Sequence, residues 1–198
     1  MGNRLSKIYT RTGDDGSTGM ADGSRVSKAD SLFNVMGDID ELNSHIGLVR
    51  AQLQKNTGQS ISKEFSEALV IIQHLLFNIG GELAMPEYEG VNATHIEWLE
   101  EQIDTMNTTL PPLKDFILPT GSVLVSQLHV ARSVCRRAER QAVLLQQQRP
   151  QAIRGTAVSF INRLSDWLFV SARFCTDPKQ ASEVLWNSQV LQKFADDK

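Results

Sequence analysis

The chain has 198 residues but only two cysteines, no long basic stretch and no extended apolar run. Cys135 and Cys175 each fall inside an apolar-periodic segment. Two cysteines in a chain this size make no disulfide framework, so a reducing, cytoplasmic setting is expected. No run reaches the ~18 apolar residues of a membrane-spanning helix, so no membrane partner is expected. The net charge of −3 gives the surface no general pull on polyanions, and no local basic stripe reverses it, so nucleic acid is excluded as a partner. The first residues lack the apolar stretch of a secretory signal. Gly2 with Ser6 fits the loose myristoylation pattern, although one acyl chain anchors only weakly. Asn92-Ala93-Thr94 and Asn107-Thr108-Thr109 fit the glycosylation sequon, which means little without secretion. His45, His74, His95 and His129 show no metal-ligand spacing, so no structural metal is expected.

What is present is helical periodicity. A hydrophobic fraction of 41% suits one domain with one core. Residues 1–27 are rich in Gly, Thr, Ser and Asp without a period, and read as an irregular, flexible segment. Residues 28–176 read as a helical bundle and 177–198 as a tail. Leu32, Val35, Met36, Ile39, Leu42, Ile46 and Val49 form the stripe of a long first helix. A second helix is expected from Ser62 to Leu83, stopped by Pro86. A third starts at Thr94, with Glu97 completing a capping box, and ends before Pro111-Pro112. After an ordered loop at 113–122, a fourth covers Val123 to Gln148 and a fifth Gln151 to Cys175, with Pro150 and Pro178 on either side. These five helices with short connections argue for an all-α, five-helix antiparallel bundle, with a short extra helix expected around Leu185 in the tail.

Five segments could carry chemistry. Thr10-Arg11-Thr12-Gly13-Asp14-Asp15-Gly16-Ser17-Thr18-Gly19 could turn backbone N–H groups and hydroxyls toward an anion, with Lys28 just beyond; a plain polar terminus fits as well. It has neither the Gly-Lys-Ser/Thr of a P-loop nor a dinucleotide fingerprint. On the first helix, Asp38 and Asp40 fall on opposite margins of the stripe and Glu41 faces away; a margin carboxylate can pair across a helix seam or simply be solvated. On the fourth, Arg132, Arg136 and Arg140 recur at i, i+4 and i+8, where like charges disfavour the helix by roughly 0.2–0.5 kcal/mol per pair. An anion or facing carboxylates would neutralise the row, and Glu139 could orient Arg136. On the fifth, Asn162 and Asp166 are i, i+4 neighbours with Arg173 further on; they could bond each other or hold a ribose or phosphate. Phe116-Ile117-Leu118-Pro119 puts apolar side chains on a loop, where they pack either on the bundle or on a flat ligand.

In their order along the chain, Lys7 to Gly16, Gly37-Asp38-Ile39-Asp40-Glu41-Leu42-Asn43, Phe116 to Pro119, Arg132 to Arg140 and Asn162 to Asp166 resemble the PduO-type ATP:cob(I)alamin adenosyltransferases over about residues 7–186. The resemblance implies a homotrimer with sites at subunit interfaces. It implies transfer of the 5′-deoxyadenosyl group of ATP to cob(I)alamin, with Mg2+ accompanying the phosphates. Thr10, Arg11, Thr12, Gly13, Ser17, Thr18 and Lys28 match the family's ATP-binding segment, and Arg136, Arg137, Glu139, Arg140 and Asn162 match its nucleotide-binding helices. Asp40 and Arg132 match a salt bridge that crosses the interface near the corrinoid. Phe116 matches the aromatic that excludes the lower ligand and leaves a four-coordinate, base-off corrinoid. Partners implied are a flavoprotein reductase and a B12-dependent client, and an alternative role is delivery of finished adenosylcobalamin to that client. One departure stands out: Thr120 replaces the first glycine of the family's Pro-Gly-Gly.

Overall fold

The computed structural model describes residues 8–55, 63–176 and 183–194; Gly2, Ser6, Lys7, Ser62 and Pro178, which figure in the expectations above, lie outside them. Among the described residues are five α-helices: α1 (Ser31–Lys55), α2 (Lys63–Ala84), α3 (Ala93–Asn107), α4 (Val123–Gln148) and α5 (Gly155–Phe174). The expected apolar stripe of α1 is its buried face, with Leu32, Val35, Ile39, Leu42, Ile46 and Val49 all in the core. α1 packs on α2 and α4, α4 on α5, and α5 on α3. Phe65 of α2 closes the ring by stacking on Trp167 of α5, centroids 5.4 Å apart and planes 8° from parallel.

Cross-links give the helix directions. Ser31 meets Gln148, Asp38 meets Arg137 and His45 meets Gln127, so α1 and α4 are antiparallel. Asn43 and Gln73 exchange side-chain to backbone hydrogen bonds of 3.2 and 3.1 Å between α1 and α2. Glu100 meets Arg163 and Met106 meets Ser171, so the neighbours α3 and α5 run parallel. Successive helices still alternate in direction along the chain.

Two helix starts differ from those expected, one through a local cap and one through a long-range ion pair. α3 is capped by Asn92, whose Oδ1 accepts from Thr94 N at 3.1 Å while Asn92 N donates to His95 Nδ1; Thr94 is already helical and Glu97 takes no part. α5 starts at Gly155 rather than Gln151 because Arg154 is held extended. Its guanidinium bonds Glu82, which is 2% exposed, and the Val91 carbonyl. Glu82 also accepts from Gly90 N at 2.9 Å and Val91 N at 2.7 Å, which ties two inter-helix connections together at one end of the bundle.

The two ends of the chain also differ from expectation. Residues 17–27 form an antiparallel ribbon, β1 (Ser17–Gly19) against β2 (Arg25–Ser27), in place of irregular chain. Leu185 lies in an isolated bridge with Ile117, not in a helix, and a 3-10 turn follows at Ser188–Phe194.

Candidate active site

The polar N-terminal segment is a folded module. Gly16 (φ 83°) and Gly23 (φ 84°) take the left-handed conformations its turns require. Asp15 Oδ1 accepts from Ser17 N at 2.9 Å and Ser17 Oγ at 2.8 Å, and these bonds hold its carboxyl below the ordinary carboxylate range. Arg25 reaches the Ser17 hydroxyl and the Thr12 carbonyl. Lys28 Nζ donates to the Gly13 carbonyl at 2.7 Å, and a Cβ on Gly13 would stand 3.1 Å from that nitrogen. Thr10 and Thr12 share a hydroxyl hydrogen bond of 2.9 Å, with Arg11 between them at φ 62°. A left-handed arginine costs about 1–2 kcal/mol. Thr10, Arg11, Thr12, Gly13, Ser17, Thr18 and Lys28 thus share one small unit, and Arg25 is a member of it that the sequence did not single out.

The arginine row on α4 divides by surroundings. Arg136 and Arg140 are exposed; Arg140 Nη1 donates to the Arg136 carbonyl at 2.9 Å, and among the described residues no carboxylate pairs with either. Glu139 is half-buried and makes no ion pair with Arg136 among those residues. Arg137 points the other way, donating from Nε to Asp38 Oδ1 at 3.1 Å and from Nη2 to Glu41. Glu41 therefore faces α4, not solvent alone: the helix seam reaches one residue further round α1 than its apolar stripe. Cys135 Sγ lies 3.2 Å from the Ile161 carbonyl, which sets the ridge beside exposed Asn162 on α5. Burial, then the charge of Glu139, pushes the Cys135 thiol far up. Asn162 and Asp166 do not bond each other; Arg163 takes Asp166 at 3.2 Å and Glu100 at 3.0 Å.

Asp40 and Arg132 form no ion pair within one chain. Asp40 is exposed and borders a groove of about 600 Å3 between α1 and α2, lined by Phe33, Met36, Leu76, Phe77 and Gly80. Arg132 lies against α5, its guanidinium 5.9 Å from the Phe169 ring centroid, with a buried Nε that has no partner among the described residues. Burial, with the nearby Arg136, lowers its proton affinity below the usual arginine value. One turn before it, His129 is 5% exposed, its Nδ1 also unpartnered among the described residues, and burial first and Arg132 second push its pKa down.

Phe116 is 82% exposed at the tip of the loop between α3 and α4. The loop is strapped by the tail: Leu118 N donates to the Val184 carbonyl at 2.8 Å and Trp186 N to the Phe116 carbonyl at 2.7 Å. Phe116, Ile117, Leu118 and Trp186 line a surface hollow of about 290 Å3. Arg173, 7% exposed, anchors the strap through Glu183 at 2.7 Å and bonds the Pro111 carbonyl at 2.7 Å; it serves this anchor, not Asn162 or Asp166. The positive φ (141°) falls on Gly121, and Thr120 keeps an ordinary backbone with its N–H on the Leu118 carbonyl at 2.8 Å. The loop therefore accommodates Thr120. No local pattern around residues 183–186 announces this strap.

The family model for cobalamin adenosyltransferase matches residues 8–175. The chain belongs to the cobalamin adenosyltransferase family. It is 46% identical over 189 residues to a cobalamin adenosyltransferase of Cupriavidus metallidurans, covering 96% of this chain and 98% of that protein. It is 43% identical to a corrinoid adenosyltransferase of Bacillus subtilis, over 84% of this chain and 85% of that one. Among solved structures, a phenylalanine-to-alanine variant of a PduO-type ATP:corrinoid adenosyltransferase from Lactobacillus reuteri, complexed with cobalamin and ATP, aligns with TM-score 0.81 at 37% identity. That alignment covers 92% of this chain and 100% of that one. The family match takes in the ribbon, the Phe116 loop, the α4 ridge and Asn162; the strap lies beyond it.

Proposed function

We propose that this chain transfers the 5′-deoxyadenosyl group of ATP to cob(I)alamin, giving adenosylcobalamin and triphosphate. The observation that carries the reading is the pairing, on one helical scaffold, of an uncompensated Arg136–Arg140 ridge with the exposed Phe116 loop. A polyanion suits the first and a flat macrocycle the second. The solved relative complexed with cobalamin and ATP supports the same pair of substrates.

Cob(I)alamin supplies the nucleophile: cobalt attacks C5′, the C5′–O5′ bond breaks and triphosphate leaves with the electron pair. The protein needs no nucleophile of its own. Its work is to hold C5′ over cobalt and to stabilise charge on the leaving group. Arg136 and Arg140 would bind the triphosphate, Asn162 the nucleotide beside them, and Thr10, Arg11, Thr12, Gly13, Ser17, Thr18 and Lys28 the nucleotide's other side. Glu139 would orient Arg136 once ATP is in place. Phe116 would pack on the lower corrin face and exclude the lower base, leaving a four-coordinate cobalt that is easier to reduce.

Among the described residues of one chain, Asp40 and Arg132 each lack an ionic partner, and they lie on different flanks. This supports a homotrimer in which they pair between subunits, with each site completed by a neighbour. Magnesium would arrive on the ATP phosphates: among the described residues no group of three His, Cys, Asp or Glu side chains could hold a metal ion, and no step is assigned to it.

The test is to incubate the protein with ATP and chemically reduced cobalamin, following adenosylcobalamin by absorbance and triphosphate by chromatography. Stoichiometric formation of both supports transfer. Tight binding of adenosylcobalamin with no turnover would overturn it in favour of a delivery role.

A further inference from the structure

Arg137 stands out because its surroundings differ from those of the arginines beside it. Its Nε donates to Asp38 at 3.1 Å and its Nη2 to Glu41. Asp38 is largely covered, its side chain 17% exposed. The three groups together carry one net negative charge. A triphosphate brought to this guanidinium would have to displace a carboxylate and then sit beside two of them, a repulsion that Arg136 and Arg140 do not impose. Both of those are exposed and without a carboxylate among the described residues.

The clamp is itself braced. Glu41 Oε1 lies 3.9 Å from His45 Nε2, and His45 Nδ1 is 2.7 Å from Gln127 Nε2. Further along the same seam, Gln148 takes Ser31 at 3.2 Å and Arg149 takes Asp30. Arg137 is thus the middle rung of a ladder of polar ties between α1 and α4. It sits next in sequence to Arg136 and three residues before Arg140, so fixing it fixes the roll of this stretch of α4.

We propose that Arg137 is a positioning residue and not a phosphate ligand: clamped by Asp38 and Glu41, it holds the Arg136–Arg140 ridge in the orientation that binds triphosphate. This rests on the ATP-binding reading given above, and the two fail separately.

The experiment measures KM for ATP, kcat and inhibition by triphosphate for three variants of the full chain: Arg137→Met, the double Asp38→Asn/Glu41→Gln, and all three together. A positioning role gives a rise in KM for ATP of about fivefold in each, the upper range for a partly exposed ion pair, with a smaller change in kcat. Inhibition by triphosphate weakens in parallel, and the triple variant is no worse than Arg137→Met, because both changes break one device. If the double variant leaves KM unchanged or lowers it while Arg137→Met raises it more than tenfold, Arg137 binds phosphate directly and the proposal fails. It also fails if melting temperature falls but no variant moves KM, since the clamp is then only a brace. Arg136→Ala separates the two readings: normal ATP use in that variant would remove the ATP reading itself, whatever the clamp does.

Discussion

The backbone N–H of Trp186 donates to the carbonyl of Phe116 at 2.7 Å, so the far end of the chain holds the loop tip that faces the proposed corrinoid. The anchor for this contact is the Arg173–Glu183 pair, whose arginine is almost wholly buried. Glu183→Ala leaves that charge, among the described residues, with only the Pro111 carbonyl. A loss of about 2–4 kcal/mol is expected, because an uncompensated buried charge is costly. Proteolytic cleavage should accelerate at both the strap and the Phe116 loop. Equal cleavage rates in variant and parent would show that the strap does not depend on Arg173.

Phe116→Ala should still bind cobalamin but lose the absorption and paramagnetic signature of the four-coordinate cob(II) state. Since Phe116 is 82% exposed, its removal should leave the melting temperature almost unchanged. Full activity with a flavin reductant would refute the lower-face role.

Arg136→Ala should cut ATP turnover on the order of 100-fold or more, the scale of losing a donor aimed at developing charge. No carboxylate among the described residues depends on Arg136, so thermal unfolding should stay within about 1 °C of the parent. A large loss of stability would make the ridge a structural element.

Stability should fall on mild acidification because of His129. Its pKa is pushed below the ordinary 6.5 mainly by burial, with Arg132 adding to the effect and Glu183 opposing it. The unfolded chain therefore binds a proton on this ring at a higher pH than the folded one. The stabilising contribution is complete above pH 6.5 and is lost as pH falls through the lowered folded value. Arg132, Arg173 and Glu183 are the charged groups around the ring and its neighbouring loop. Urea unfolding at pH 7.5 and 5.5 should show a smaller difference in His129→Gln than in the parent. An identical difference would assign the slope to other groups.

Gly90→Ala should be poorly tolerated, since a Cβ there would lie 2.7 Å from Asn78 Cβ and 2.8 Å from its carbonyl oxygen. Gly121→Ala combines strain at φ 141° with a Cβ 3.0 Å from Val125, whereas Thr120→Gly should be nearly silent. Melting temperatures of the three variants check the ranking.

The helices were legible because their information is local. The stripe from Leu32 to Val49 needs only a period of 3.6, and the stretch from Val123 to Gln148 needs only Ser122 as its cap and a chain break before Pro150. The family was legible as an ordered set of motifs, although single clusters stayed ambiguous. Pairings that join distant segments were not legible. Leu185 read as helical because its true partner, Ile117, lies elsewhere in the chain. Arg154 read as part of a helix because Glu82 could not be seen pulling it straight. Arg137 looked equivalent to Arg136 until α1 was in place beside it.

The parallel course of α3 and α5 has a consequence for how the loop between α3 and α4 came to exist. With α5 standing between them, the chain leaving α3 has to step over the end of α5 before α4 can begin. Two helix spacings of 8–10 Å each need at least about six extended residues. The connection from Thr108 to Ser122 is longer than that minimum. Helix order alone forces a bridge at this end of the bundle, and the surplus length is free to be shaped into a ligand-facing tip. A change in that surplus would reshape the tip without rewiring a single helix.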